Sequence, residues 1–242
     1  MIHNIAHRGA SAYEPENTLR AFERAIQMGA TMLELDIHLS RDGHPMVIHD
    51  AEVSRTTNCK GPVSDMTLKQ IKELDAGKGE RVPTLTEVID LARDRAKLYI
   101  ELKGQRTPGP VVDALSSMAF MDQVIISSFY PWLIQKIKFL NPKIRTSLLI
   151  RSEDQGADFV EWALAVAADY VHPAWENEIP TPSKLLTPDM IINIRRQGLG
   201  LVIWQEDRPS ELQELVKLGP DGICTNTPDV LAAILREQKG AQ

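Results

Sequence analysis

Short apolar runs alternate with amphipathic stretches along the whole chain, and the alternation recurs eight times. The apolar runs read as strands: Asn4 to His7, Thr31 to Leu39, Lys97 to Lys103, Gln123 to Phe129, Ile144 to Ile150, Tyr170 to Pro173, Leu199 to Trp204 and Gly222 to Thr225. Apolar positions at helical spacing fall over Thr18 to Met28, Leu85 to Arg93, Pro110 to Ala119, Pro131 to Leu140, Ala157 to Ala168, Pro188 to Gln197, Pro209 to Leu218 and Pro228 to Gln238. Start chemistry supports these boundaries: Thr84 with Glu87 three residues on spells a capping box, and Pro209 and Pro228 suit a first helical position.

Strands alternating with helices mean parallel pairing through crossover helices. Eight such units suit closure into an α/β fold, the (β/α)8 TIM barrel, which takes roughly 250 residues. The 242 residues fit that size without remainder, so 1–242 is expected to form a single barrel domain. An open doubly wound sheet is the rival, but no G-x-G-x-x-G loop follows the first strand.

One segment breaks the rhythm. Residues 50–82 lie between the second strand and its helix and are too long for an ordinary βα loop. Because such loops build active sites on barrels, this small insertion is expected to lie over the active-site face.

Period two then sorts the strand residues by face. Glu34, Asp36 and His38 alternate with Leu33, Leu35 and Ile37, and Glu101 shares a face with Lys103. If the apolar set packs on the helices, Glu34, Asp36 and Glu101 converge inside the barrel, where like charges repel and desolvation is costly. Either something positive sits among them, a hard divalent cation such as Mg2+, Ca2+ or Mn2+, which oxygen ligands suit, or a salt-bridge network with Lys103 and Arg8, or one of the acids is protonated. The first strand ends in His7-Arg8-Gly9, at the catalytic end of a barrel strand. A hairpin with Asp42-Gly43 as a two-residue loop would put His49 opposite Asp36, making His7 and His49 a candidate acid and base pair.

The net charge of −6 excludes a basic footprint for nucleic acid or an anionic membrane, so a phosphate-bearing ligand must be captured locally, by Arg8 and Lys103. Cys59 and Cys224 belong to no metal-spaced pattern, and with no signal peptide or spanning stretch in view a reduced, cytoplasmic setting is expected. Whether the barrel forms a homodimer is left open.

The ordered set His7-Arg8-Gly9, Pro15-Glu16-Asn17-Thr18, Glu34-Leu35-Asp36 and Val47-Ile48-His49-Asp50 resembles the signature of the glycerophosphodiester phosphodiesterase family. The likeness continues through Arg55-Thr56-Thr57-Asn58, Glu101-Leu102-Lys103, Ser127-Ser128-Phe129, Trp204 and Asp221-Gly222-Ile223. It implies His7 and His49 as acid and base, Glu34, Asp36 and Glu101 as metal ligands, and Arg8 and Lys103 as phosphate contacts, with Phe129 and Trp204 on the substrate wall. It further implies a small glycerophosphodiester substrate, cleaved through a cyclic phosphate to glycerol 3-phosphate. A lysophospholipase D-like enzyme and a non-catalytic phosphodiester-binding protein are the alternatives. The chain departs from the family at Gln205-Glu206-Asp207, and His172 carries no role over from it.

Overall fold

The computed structural model describes residues 2–176 and 178–240. Eight parallel strands run β1 (His3–Ala6), β2 (Met32–Leu39), β4 (Lys97–Leu102), β5 (Val124–Ser128), β6 (Arg145–Ile150), β7 (Tyr170–Pro173), β8 (Gly200–Gln205) and β9 (Gly222–Thr225). Each pairs with the next, and β1 pairs with both β2 and β9, so the sheet closes into a (β/α)8 barrel. β3 (Pro45–Val47) adds antiparallel to the upper part of β2.

The outer helices are α1 (Leu19–Gln27), α3 (Leu85–Ala92), α4 (Pro108–Ser117), α5 (Pro131–Leu140), α6 (Phe159–Ala165), α7 (Pro188–Arg196), α8 (Pro209–Lys217) and α9 (Pro228–Gly240), with the short α2 (Leu68–Lys72) before α3. Thr84 and Glu87 form the expected capping box of α3. The Thr18 hydroxyl caps α1 by accepting from the Ala21 N–H, and Asn17 turns inward to donate to Asp36. Among the described residues no helix is long and apolar enough to cross a membrane.

Alternation along the strands builds two layers inside the barrel. Ile5, Met32, Tyr99, Ile125, Val202 and Cys224 plug its lower half. Leu33, Leu35, Ile37, Leu98, Ile100 and Leu102 face outward and pack with helix residues such as Phe22, Val88 and Ile89. Each large apolar side chain buried there stabilises the fold by about 1.5–3 kcal/mol. With its floor sealed, the barrel exposes only its upper polar layer.

The hairpin register differs by one residue from the expected one. Ile37 pairs with Val47 and Leu39 with Pro45, around a three-residue loop in which Gly43 takes φ +86°. Three-residue loops ending in a left-handed residue are a common hairpin solution, and Gly43 permits it. Ile48, not His49, therefore stands opposite Asp36, its N–H donating to the Asp36 carbonyl at 3.0 Å. The strand ends at Val47 and a bend at residues 49–50 turns His49 toward the barrel mouth.

Residues 50–82 fold around an apolar cluster of Met46, Ile48, Val53, Val63, Ile71, Ala76 and Val82. The β1–α1 loop is tighter still. Arg8 and Gly9 both take positive φ, 55° and 84°, and a Cβ on Gly9 would lie 2.7 Å from the Ala21 backbone. Gly9→Ala is therefore expected to destabilise by about 2–4 kcal/mol, from strain and overlap together. A urea titration checks this; an unchanged midpoint would mean the loop relaxes at no cost.

Candidate active site

The upper layer opens into a cavity of about 270 Å³ lined by His7, Arg8, Glu34, His49, Glu101, Lys103, Phe129 and Trp204, among others. Eight of the nine residues singled out in the sequence thus meet there. Asp36 is the exception, sitting just behind the wall and 1% exposed.

Parallel in-register pairing sets Asp36 beside Glu101 and Glu34 beside Tyr99. One carboxylate oxygen each from Glu34, Asp36 and Glu101 lies within 4.8 Å of the others. Burial pushes the Glu34 carboxyl well above its ordinary range, and repulsion from Asp36 adds to the effect. Burial likewise raises Glu101 to about 6. Asp36 is also buried, yet it is held below the usual carboxylate range by Lys103 and Arg8. The Lys103 ammonium is 3.1 Å from Asp36 and 2.7 Å from Glu101, and the Asn17 amide donates to Asp36 at 2.9 Å. Three buried acids with one ammonium among them match an oxygen-only site for a hard cation.

Arg8 is fixed at both ends. Its backbone N–H donates to Glu34 at 2.9 Å, and its guanidinium meets Glu16 at 3.0 Å. The Pro15–Thr18 loop thus positions charge through Glu16 and Asn17, which the sequence analysis named only as part of a motif.

Each imidazole is oriented by a partner. His7 Nδ1 lies 2.8 Å from the Asn226 side-chain oxygen, and the Asn226 amide donates to Asp207 at 2.7 Å. Because the Asn226 oxygen can only accept, Nδ1 of His7 carries the proton and Nε2 the free lone pair. Burial, helped by Arg8, lowers His7 to about 4. His49 Nδ1 lies 2.6 Å from Asp50, whose other oxygen accepts from Arg55 at 2.7 Å. Arg55 also forms two bonds of 2.7 Å to Glu16. Burial lowers the proton affinity of His49, opposed by Asp36 and Asp50.

Sequence reasoning named Asp50, Arg55 and Asp207 within motifs without giving them a role, and it missed Asn226. For Asn226 there was a signal, because closure places the residue after Thr225 beside His7, whose N–H donates to the Thr225 carbonyl. Asp207 falls in the stretch that departs from the family pattern, and it secures the Asn226 side chain.

On the opposite wall, His172 hydrogen-bonds Tyr99 at 2.9 Å and is held neutral, its value lowered to about 3 by burial. The Phe129 ring lies under the Arg151 guanidinium at 5.0 Å. Tyr130 and Trp132, each 43% exposed, stand at the start of α5 directly after Phe129.

A closed barrel whose mouth joins two imidazoles, two cations and a carboxylate cluster defines a barrel hydrolase of phosphoric diesters. Residues 7–230 match the model of the glycerophosphoryl diester phosphodiesterase family, and the chain belongs to that family. It is 38% identical to a glycerophosphodiester phosphodiesterase of Caldanaerobacter subterraneus, over 96% of this chain and 97% of that one. A glycerophosphodiester phosphodiesterase of Bacillus subtilis is 34% identical, over 95% and 85%. The solved enzyme of Agrobacterium tumefaciens superposes with TM-score 0.84 at 30% identity, covering 96% of this chain and all of that one. An Oleispira antarctica phosphodiesterase, solved with the product sn-glycerol-3-phosphate, superposes with TM-score 0.86 at 26% identity, covering 96% of each.

Proposed function

We propose that this enzyme hydrolyses glycerophosphodiesters to glycerol 3-phosphate and an alcohol, with a divalent cation held by Glu34, Asp36 and Glu101 and with His7 and His49 moving the protons. The observation that carries this reading is that His7, His49, Arg8, Lys103, Glu34 and Glu101 line one small cavity, with Asp36 directly behind its wall. The product bound by the Oleispira relative supports the same substrate class.

The donor set fits Mg2+, Ca2+ or Mn2+, since all three ligands are carboxylates and two of them are driven toward protonation without added positive charge. When bound, such a cation neutralises nonbridging phosphate oxygens, worth several kcal/mol in the transition state. Arg8 and Lys103 supply the remaining positive charge against the diester monoanion. His7, neutral at pH 7 with its Nε2 lone pair free, is suited to take a proton from the attacking glycerol hydroxyl. His49, backed by Asp50, is suited to hand one to the departing alcohol, and the roles reverse when water opens the cyclic phosphate. Residues 50–82 belong to the same domain as the barrel in this reading and cover its mouth through Arg55, with Phe129 and Trp204 forming the wall against the organic part of the substrate.

The test is release of glycerol 3-phosphate from glycerophosphocholine and glycerophosphoethanolamine, in EDTA and after adding back each cation. Release that vanishes in EDTA and returns with a cation is the expected result; turnover indifferent to EDTA would remove the metal from the reading. The exposed Tyr130 and Trp132 favour one second reading, a lysophospholipase D-like activity with an acyl chain on that rim. Faster choline release from lysophosphatidylcholine than from glycerophosphocholine would select it.

A further inference from the structure

The cavity is polarised. Arg8 and Lys103 stand on the wall formed by β1, β2 and β4, while Glu176, just past β7, lines the other side with Trp204 and Gln205. Among the described residues the buried Glu176 Oε2 atom has no hydrogen-bond partner. Its neighbouring charges, Glu206 and Glu178, are both negative, and with burial they raise its proton affinity. Glu206 is itself neutralised by Arg208 within its own turn. Among the described residues no cation pairs with Glu176.

A carboxylate oxygen left without a partner in a largely dry wall is costly unless something else completes it. The Trp204 indole N–H, in a side chain only 1% exposed, is likewise buried and unpartnered in the same wall. A ligand bearing both donors and acceptors would complete both groups. Phe129 is poorly placed to attract a cationic group, because Arg151 already covers its ring at 5.0 Å. Negative charge on the Glu176 side repels phosphate toward Arg8 and Lys103 and leaves room for positive charge one headgroup away.

We propose that Glu176 determines specificity by receiving the ammonium of the leaving alcohol, so that the preferred substrates are zwitterionic glycerophosphodiesters carrying an amino-alcohol. This rests on the reading of the cavity as a glycerophosphodiester site. A carboxylate–ammonium contact in a partly dry site contributes enough for about a tenfold or greater preference.

The experiment compares kcat/KM for glycerophosphoethanolamine and glycerophosphoglycerol in wild type, Glu176→Gln and Glu176→Ala, with circular dichroism confirming that each variant is folded. Wild type should favour the ethanolamine diester by about tenfold, and both variants should lose that preference while cleaving glycerophosphoglycerol within about twofold of wild type. Should one variant fail to fold, the other and the wild-type ratio still decide. An unchanged ratio, or an equal fall on both substrates, overturns the assignment of Glu176 alone. No turnover of either diester by wild type with added cation overturns the parent reading as well.

Discussion

Replacing His49 with alanine should lower kcat on glycerophosphocholine by about 10²–10⁴-fold, and His7→Ala should do the same. Both imidazoles line the cavity, and each is held by its Nδ1 atom, which leaves Nε2 for proton transfer. Neither substitution removes core packing, so the loss should come with nearly unchanged thermal stability. The double variant should be little worse than either single one, because two groups that serve one proton relay do not contribute additively. Asp50→Asn should fall between, since the amide keeps the ring in place but withdraws the charge that favours its protonated form. Steady-state kinetics at saturating cation decides the matter; a His49→Ala enzyme with more than half of wild-type kcat would end the two-histidine proposal.

Cation binding should raise the melting temperature, and more at pH 7.5 than at pH 5. Burial raises the carboxyls of Glu34 and Glu101, the latter to about 6, against an unfolded value near 4.3. A carboxyl raised in the folded state binds its proton more tightly there than in the unfolded chain. Its destabilising contribution therefore appears as pH climbs through about 6 and is absent below the unfolded value. These two carboxyls should accordingly add stability to the metal-free protein between pH 7.5 and 5, opposed over the same range by His7 and His172, whose lowered values let the unfolded chain take up protons first. Below about pH 4 that gain is overtaken as lowered carboxyls such as Asp36 and Asp50 become protonated and lose their ion pairs.

A cation at 100 times its Kd adds about 2.7 kcal/mol, roughly 5–10 °C for a chain of this size. Protons compete for the same oxygens at pH 5, so the gain shrinks there. Glu34→Gln should raise the melting temperature of the metal-free protein, because it removes repulsion with Asp36 and Glu101 while an amide oxygen can keep the bond from the Arg8 N–H. The same variant should lose the cation response. Calorimetry with and without EDTA at the two pH values checks both; a cation response that survives in Glu34→Gln would place the ion elsewhere.

The barrel was legible because its signals are local. Period two and period 3.6 are written into a few consecutive residues, and parallel strands stacked in register carry that alternation from β2 to β4. Hence Glu34, Asp36, Glu101 and Lys103 could be placed on one inward face from sequence alone, and His7 and Arg8 at the end of a strand. The hairpin signal brought in His49, and Phe129 and Trp204 were named for the substrate wall; the cavity receives all three.

Tertiary structure decided the contacts that depend on which distant ends closure brings together. His7 and Asn226 are separated by 219 positions, and no periodicity couples them. Arg55 and Glu16 are 39 apart and meet only because residues 50–82 fold back on the β1–α1 loop. The hairpin shows the same division in miniature. Asp42-Gly43 announced a turn, but one extra loop residue, permitted by the positive φ of Gly43, moved Ile48 opposite Asp36 and left a bend to deliver His49. Local sequence determines which face a side chain occupies; loop dihedrals and long-range hydrogen bonds determine which groups it meets, because their energies exist only once the barrel has closed.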